Sequence, residues 1–201
     1  MKKAFQAFTV GLAFIVFCGF AYPLLVLGIG QLVFPHQANG SMIKVNGKVV
    51  GSELIGQNFS DNRFFHGRIS AVNYNTFSAS TASNDLTVGS GSANYSVSSP
   101  DLEKRINTDV SAFLKDNPTV KKKDLPADLF TSSFSGLDPD VSPASAEVQI
   151  DRIVKATGIE KRTVKQIIKD NTAGRDIGIF GESRVNVLKA NLAIYKLLQQ
   201  K

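Results

Sequence analysis

The sequence predicts an α+β fold in which one N-terminal transmembrane helix is followed by a single extracytoplasmic α+β domain. Three observations lead to this prediction. Residues 4–34 contain no charged side chain, a short hairpin signal follows them, and the second half of the chain shows helical periodicity broken by proline and glycine. We expect the cytoplasmic N-terminus and anchor to occupy residues 1–34 and the domain to occupy residues 35–201.

The apolar run is long enough to cross a membrane once. No charged residue lies between Lys3 and Lys44, and a hydrocarbon core requires ~20 apolar residues of helix. A cleaved signal is the alternative, but its apolar region is about 7–15 residues long and ends in small residues, so a retained anchor is favoured. Phe14, Tyr22 and Pro23 are assigned to this anchor, and Pro23 is expected to kink it.

The charges on the two sides of the apolar run predict its orientation. Lys2 and Lys3 precede the run, whereas the other side carries no lysine or arginine before Lys44. The positive-inside rule therefore places the N-terminus in the cytoplasm and the domain on the extracytoplasmic side of the cell membrane (inner or plasma membrane). The chain has a formal net charge of +6, but its positive residues are not part of a nucleic-acid recognition motif. The charge alone therefore does not indicate nucleic-acid binding. The single cysteine, Cys18, excludes an intramolecular disulfide.

Local signals predict the first elements of the domain. Pro35 is expected to end the anchor helix, and Asn46-Gly47 predicts a hairpin over residues 41–51 because both residues accept a positive φ. The Ser- and Asn-rich residues 74–99 predict a long surface loop. Ser99-Pro100 then predicts a helix that ends near residue 116, ahead of Pro118.

Three further helices are expected in the second half of the chain. They are predicted from Ser142-Pro143 to about residue 157, over residues 161–170, and from about residue 183 to residue 199. The sheet is expected to come from the first half of the domain, with contributions from the regions around Phe130 and Ile179.

The sequence offers little chemistry of its own. Only His36 and His66 could act as a general base, and neither a G-x-S-x-G elbow nor a G-x-x-x-x-G-K-[ST] loop is present. We predict no catalytic residue and no metal set. Asp138 and Asp140 flank Pro139 and could face a cation, although aspartates in turns commonly bond their own backbone, which is the favoured interpretation. Two alternative functions remain open: a membrane-anchored hydrolase that uses His66, and a pilin-like structural subunit.

Several segments, in order, carry a resemblance to a known family. They are residues 22–25 (YPLL), 34–41 (FPHQANGS), 51–59 (GSELIGQNF), 64–71 (FFHGRISA), 91–102 (GSANYSVSSPDL), 135–158 (SGLDPDVSPASAEVQIDRIVKATG) and 181–197 (GESRVNVLKANLAIYKL). Through them the chain resembles the C subunit of the Kdp-type potassium-transporting ATPase over nearly its whole length. Ile69, Ala93-Asn94 and Ser99 depart from the proline, Asn-Leu and asparagine that are usual in the family, which bears on the conformation of the Ser/Asn loop.

The resemblance implies a non-catalytic subunit of a high-affinity, ATP-driven potassium uptake complex in the cell membrane. The implied partners are a channel-like potassium-selective subunit, a P-type ATPase subunit and a small single-span subunit. No cofactor belongs to the chain itself, because the complex handles ATP and potassium. The family motifs mark the residues of an expected functional surface: Gly56, Gln57, His66, Arg68, Ser92, Pro100, Asp138 and Asn186.

Two accounts of the role of this subunit accompany the resemblance. In one it is a catalytic chaperone that assists ATP binding by the P-type subunit, with Gln149 at the position of a glutamine proposed to contact nucleotide. In the other the exported domain sits over the mouth of the potassium-selective subunit and stabilises the complex. The predicted orientation would separate Gln149 from cytoplasmic ATP, so we expect stabilisation from outside, with any effect on ATP affinity passing through the membrane spans.

Overall fold

The computed structural model describes residues 1–76 and 88–200. The predicted Ser/Asn loop therefore lies partly outside the described residues. The chain forms two compact units, Met1–Ser52 and Glu53–Lys201, and each is described by itself below. The units divide between Ser52 and Glu53, whereas the boundary predicted at residue 34 coincides with the end of the long N-terminal helix.

The first unit begins with one long apolar helix. Helix α1 (Lys2–Val16), a π-helical turn (Phe17–Ala21) and helix α2 (Tyr22–Val33) follow one another without a break. Their 32 residues rise about 48 Å in total, more than the ~30 Å of a hydrocarbon core. No side chain of this helix is buried. Among the described residues it is the one helix long and apolar enough to cross a membrane.

A π-helical turn lies immediately ahead of Pro23, where the sequence predicts a kink. The Tyr22 N–H donates to the Phe17 carbonyl five residues earlier, immediately before Pro23, which has no N–H to donate. The chain leaves helical geometry at Phe34, because the residue before a proline is displaced from the α region. Pro35 thus ends the long helix as predicted, but it also opens one short helix, α3 (Pro35–Ala38).

The predicted hairpin is confirmed. Strands β1 (Met42–Val45) and β2 (Lys48–Ser52) pair antiparallel, and the turn residues Asn46 and Gly47 both have positive φ, at 51° and 77°. This is the conformation that a two-residue turn requires between twisted strands. The Ser52 hydroxyl donates to the Gly40 carbonyl at 2.7 Å, which ties the end of β2 to the start of the hairpin.

The second unit contains five helices and three short strands among its described residues. The helices are α4 (Pro100–Asp116), α5 (Pro143–Glu147), α6 (Ile150–Thr157), α7 (Lys161–Asp170) and α8 (Val187–Gln199). The strands are β3 (Asp140–Val141), β4 (Thr172–Ala173) and β5 (Arg184–Asn186), arranged antiparallel in the order β3-β5-β4. Short 3-10 turns occur at Asn73–Asn75, Lys122–Asp124 and Ala127–Leu129.

Two hydrophobic clusters form the core of this unit. The larger one joins the inner faces of α5 to α8 with strands β3 and β5, and the fully buried Phe65 belongs to it. The smaller one packs α4 through Val110 and Phe113 against Leu129 and Phe130, with the two phenylalanine rings edge to face at 5.4 Å. The α+β class predicted from the sequence is confirmed.

The helices over residues 100–116 and 161–170 are confirmed, but the other two helix predictions are corrected. The single helix expected from residue 143 to 157 is two helices, because the Gln149 N–H makes only a tight turn bond to the Ala146 carbonyl at 3.1 Å and α6 begins at the next residue, Ile150. The last helix begins at Val187 rather than near residue 183. Residues 184–186 instead form β5, and the Asn186 side chain caps α8 by accepting from the Lys189 N–H at 3.0 Å.

The prediction that the regions around Phe130 and Ile179 contribute strands to the sheet is wrong, and the first half supplies only part of the β structure. The region around Phe130 forms a 3-10 turn and a loop, and Ile179 lies in a turn between Asp176 and Phe180. All three strands of the β3-β5-β4 sheet come from the second half of the chain, whereas the first half supplies the separate β1-β2 hairpin. Strands of two or three residues have too few side chains to show a period of two.

Gly56 provides a test of this packing. A Cβ at Gly56 would lie 2.4 Å from the Asp138 carbonyl oxygen and 2.5 Å from the Tyr74 ring, whereas one at Gly174 would meet nothing within 4 Å. We expect Gly56→Ala to lower the free energy of unfolding of the full chain in detergent by at least about 1–3 kcal/mol, because backbone atoms would have to move to admit the added methyl group. Gly174→Ala is the matched control, and equal urea midpoints for the two variants would contradict the described packing.

Candidate functional site

Two buried side-chain amides hold the middle of the FFHGR segment. Asn191 accepts from the Phe65 N–H at 2.7 Å and donates to the Phe65 carbonyl at 2.9 Å. Gln149 accepts from the His66 N–H at 2.8 Å and donates to the His66 carbonyl at 3.1 Å. Each amide therefore satisfies one N–H and one C=O, as a neighbouring strand would do. We call these four residues the amide bracket.

Three of the four residues of the amide bracket are buried, and the fourth, His66, is half-buried. The exposed fractions are 0% for Gln149, 2% for Asn191 and 1% for Phe65. Gln149 comes from the break between α5 and α6, and Asn191 comes from the inner face of α8. The bracket thus joins two helices to a segment without regular secondary structure, whose Phe65 belongs to the larger core cluster.

Arg152 adds a buried positive charge beside the bracket. Its side chain belongs to a residue only 5% exposed, and its guanidinium donates to four oxygen atoms of neutral groups: Gln149 Oε1 at 2.7 Å, the carbonyls of Asn62 and Phe64 at 2.7 and 3.0 Å, and Asn117 Oδ1 at 3.2 Å. Burial lowers the pKa of Arg152 to about 10, while the carboxylates of Asp116 and Asp61 oppose that lowering. The side chain remains positively charged at neutral pH.

His66 is uncharged in this environment. Burial and then the neighbouring charge of Arg152 lower its pKa from 6.5 to about 4. Ring atom Nε2 lies 3.3 Å from Arg152 Nη1 and 3.2 Å from the Asp61 carbonyl oxygen. In a neutral imidazole this nitrogen either accepts from the guanidinium or donates to the carbonyl, depending on the tautomer. Either contact fits a structural histidine better than the general base of an anchored hydrolase.

A second polar cluster surrounds the turn over residues 137–140. Arg68 forms an ion pair with Asp138 at 2.8 Å, with the two side chains 24% and 27% exposed. The other Asp138 oxygen accepts from the Asp140 N–H at 3.0 Å, so the predicted bond between a turn aspartate and its own backbone is confirmed. The Gly56 N–H donates to the Leu137 carbonyl at 2.8 Å. This bond ties the turn to the segment around residue 56.

Asn186 and Tyr74 complete the cluster at this turn. Asn186 donates to the Glu53 carbonyl at 2.9 Å and to Asp140 Oδ1 at 3.3 Å. The Tyr74 hydroxyl donates to the Arg68 carbonyl at 2.6 Å, and burial raises the pKa of Tyr74 to about 12, which keeps the hydroxyl a donor. Burial, followed by the charge of Asp138, also raises the pKa of Asp140.

The structure thus groups most of the residues expected on a functional surface. His66 and Gln149 lie in or beside the amide bracket, and Gly56, Arg68, Asp138 and Asn186 meet at the 137–140 turn. Gly56 itself is buried, and Gln57 is half-buried. The other two residues have different surroundings: Ser92 lines a hollow of ≈ 290 Å³ with Tyr95 and Phe134, and Pro100 opens α4.

No group of three or more metal-ligating side chains occurs within residues 1–76 and 88–200. A groove of ≈ 390 Å³ lies beside Arg152, and its charged lining is mixed: Lys115, Lys155 and Arg152 face Asp116 and Asp151. All polar atoms of the Gln149 amide already have partners, since its Nε2 also donates to the Ser145 carbonyl at 3.0 Å. A nucleotide that used Gln149 would have to displace these bonds, and contact between Gln149 and nucleotide stays a prediction.

Comparison with known proteins shows the family to which the chain belongs. The family described as "K+-transporting ATPase, c chain" (KdpC) matches residues 4–196. The chain belongs to the KdpC family. The resemblance inferred from the sequence is therefore confirmed, and the amide bracket and the 137–140 turn both lie within the part that matches KdpC.

Individual KdpC relatives are similar along nearly the whole chain. The potassium-transporting ATPase KdpC subunit of Clostridium kluyveri is 54% identical over 195 residues, which cover 96% of this chain and 93% of the relative. The KdpC subunit of Clostridioides difficile is 50% identical over 205 residues, covering 98% and 99%. That of Bacillus cereus strain ATCC 10987 is 50% identical over 187 residues, covering 92% and 91%.

Four residues of the site escaped the sequence analysis: Asn191, Arg152, Tyr74 and Asn117. Two of them carried a usable signal. Asn191 interrupts the inner apolar stripe of α8 between Leu188 and Ile194, and Arg152 precedes the buried Ile153 in α6. A polar side chain on the buried face of a helix of this KdpC domain indicates a hydrogen-bonded core position, because such a group is destabilising without a partner.

Removal of the Gln149 amide tests the bracket. We expect Gln149→Leu to lower the free energy of unfolding of the full chain in detergent by roughly 3 kcal/mol, because the His66 backbone and one Arg152 nitrogen lose buried partners. Gln166→Leu is the matched control, since Gln166 is exposed and bonds only the nearby Asp170 in α7. Equal stability of the two variants in a urea titration would contradict the structural role of Gln149.

The lowered pKa of His66 makes stability depend on pH. Between pH 6.5 and pH 4 the unfolded chain binds a proton at His66 that the folded chain does not bind. The stabilising contribution of neutral His66 is therefore complete above pH 6.5 and is lost as the pH falls towards 4, by about 3 kcal/mol. We expect His66→Gln to remove this part of the pH dependence in denaturant titrations at pH 7.5 and pH 4. Parallel stability curves for the two proteins would show that the imidazole is not held neutral.

Proposed function

We propose that this chain is a non-catalytic subunit of a high-affinity, ATP-driven potassium uptake complex and that its folded domain stabilises the assembled pump from the outer side of the membrane. Membership of the KdpC family over residues 4–196 supports the assignment to the complex. The relatives are named subunits of a potassium-transporting ATPase. The partners would be the channel-like potassium-selective subunit, the P-type ATPase subunit and the small single-span subunit.

The long apolar helix is the observation that carries this proposal. None of its 32 residues is buried within the chain, so lipid and the helices of other subunits must cover it. Gly11, Gly19 and Gly28 have no atom within 4 Å of the position that a Cβ would take. Small residues of this kind let neighbouring helices approach closely in a membrane. The helix is thus suited both to anchor the chain and to pack against other spans.

The chemistry of the domain supports a structural role. The polar side chains of the amide bracket and of the 137–140 turn bond to one another and to the backbone, which leaves these groups engaged in holding the fold together. The lysines at positions 2 and 3 favour a cytoplasmic N-terminus and a domain outside the cytoplasm. On this orientation the domain cannot contact cytoplasmic ATP, and any influence on ATP binding by the P-type subunit travels through the packed membrane helices.

Affinity purification from membranes tests the assignment. We expect a tag after Lys201 to recover, in mild detergent, a large polytopic potassium-selective chain together with a P-type ATPase, because the exposed helix and the domain both bind within the complex. Recovery of this chain alone, intact and in the membrane, would overturn the proposed function. A version lacking residues 1–34 is the control for attachment through the helix.

Protease accessibility tests the proposed location of the domain on the outer side of the membrane. Protease added to intact cells or spheroplasts should remove the domain, and the same treatment should spare a cytoplasmic marker protein. Full protection of the domain in intact cells, with digestion after lysis, would reverse the proposed orientation and reopen direct contact with ATP.

A further inference from the structure

The loop between β4 and β5 is a closed hairpin with an apolar end. The Asp176 N–H donates to the Phe180 carbonyl at 2.8 Å, and the Phe180 N–H donates back at 3.0 Å. This pair closes the turn Ile177-Gly178-Ile179. The exposed fractions of Ile177, Ile179 and Phe180 are 89%, 70% and 66%. We call these three residues the apolar tip. Three large apolar side chains on an ordered turn form the kind of patch that marks an interaction site.

The backbone at the apolar tip does not favour isoleucine. Ile177 has a φ of +56°, a left-handed conformation that β-branched side chains rarely adopt and that asparagine or glycine adopt readily. An exposed turn also favours small or polar residues, whereas isoleucine there leaves a large apolar side chain in water. The two unfavourable features occur at the same residue, which favours a role for the apolar side chain in contact with a partner.

The charges at the base of the hairpin are paired with each other. Arg175 binds both carboxylate oxygens of Glu182 at 2.9 Å, and Arg184 lies 3.4 Å from Asp176. Two positive and two negative groups thus cancel, and the pairs connect the two sides of the hairpin. Attraction to an anionic lipid surface depends on clusters of lysine and arginine in excess. An uncharged protein surface is the more suitable partner, and the closed hairpin is already in one conformation before it binds.

The size of the apolar tip limits what it can bind. Three side chains of this kind present on the order of 400 Å² of apolar surface, whereas stable interfaces between freely diffusing proteins bury about 1,200–2,000 Å² in total. The tip is therefore too small to hold a second copy of the chain by itself. It is large enough to contribute central contact residues to an interface whose partners are already held side by side, as two membrane-anchored subunits are.

We propose that the apolar tip inserts into an uncharged, apolar hollow on the outer surface of another membrane-anchored subunit of the same pump. This inference rests on the proposed function and deepens it by assigning a contact surface. The paired charges of Arg175, Glu182, Arg184 and Asp176 form the polar rim of that contact, and Ile177, Ile179 and Phe180 form its buried centre.

Photocrosslinking in the assembled complex tests this contact. A photoreactive phenylalanine analogue replaces Ile179 in the full chain, which is expressed with its complex, and the membranes are irradiated before purification through the C-terminal tag. We expect a covalent product with a co-purifying integral membrane subunit. The same analogue at Lys165, which is exposed on α7, is the control position and should give at least tenfold less of that product.

A pair of substitutions at Ile177 separates binding from folding. Ile177→Asn should decrease the crosslink yield on the order of tenfold, because it removes apolar surface from the centre of the contact, while the thermal midpoint of the full chain stays equal or rises, because asparagine accepts the positive φ. Ile177→Leu keeps the apolar surface and should retain the crosslink. A yield unchanged by Ile177→Asn would overturn the proposed contact.

The remaining outcomes distinguish the inference from the function on which it rests. A product with lipid or with a second copy of the chain, or no product at all while the other subunits are still recovered through the tag, would overturn the docking of the tip and leave the proposed function standing. Failure to recover any other subunit would overturn both.

Discussion

The second unit depends on the pairing of two buried amides with consecutive backbone residues. Phe65 is fully buried in the larger core cluster, yet the segment that carries it belongs to no strand or helix. Its N–H and C=O groups and those of His66 would be destabilising in that position without partners. Asn191 and Gln149 supply those partners, and the segment can then cross the core without a neighbouring strand.

Other features of the unit follow from this arrangement. Gln149 reaches His66 from the point where α5 ends and α6 begins, so the interruption of the helix and the position of the amide belong together. Arg152 lies on the next turn and binds Gln149 and the Phe64 carbonyl, which surrounds the segment with donors. Burial, and after it the positive charge of Arg152, lower the pKa of the neighbouring His66 imidazole and keep it neutral. The polar groups in the interior therefore specify one packing of α6 and α8 around the segment, and contact with other molecules is left to the outer surfaces.

Local signals allowed a large part of the fold to be predicted. Ser99-Pro100 and Asn46-Gly47 mark α4 and the hairpin because their preferences act within four residues. The break at Gln149 and the strand over residues 184–186 were not predictable in this way, because each depends on residues far away in sequence: His66 for the first, and the partners Asp140 and Thr172 for the second. The family motifs identified Arg68 and Asp138, but the ion pair between them spans 70 residues and only the fold reveals it.

The π-helical turn in the long helix has a consequence for the spacing of its side chains. Such a turn accommodates one residue more than a regular helical turn, and one residue corresponds to about 100° of rotation around the axis. The side chains of α1 and α2 are therefore offset around the helix from the positions that an unbroken helix would give them. Gly11 and Gly28, which lie on opposite sides of the turn, consequently face directions that a regular 3.6-residue count does not give. A helical wheel drawn through all 32 residues would misassign one half of the span, and separate wheels for the two halves describe its faces correctly.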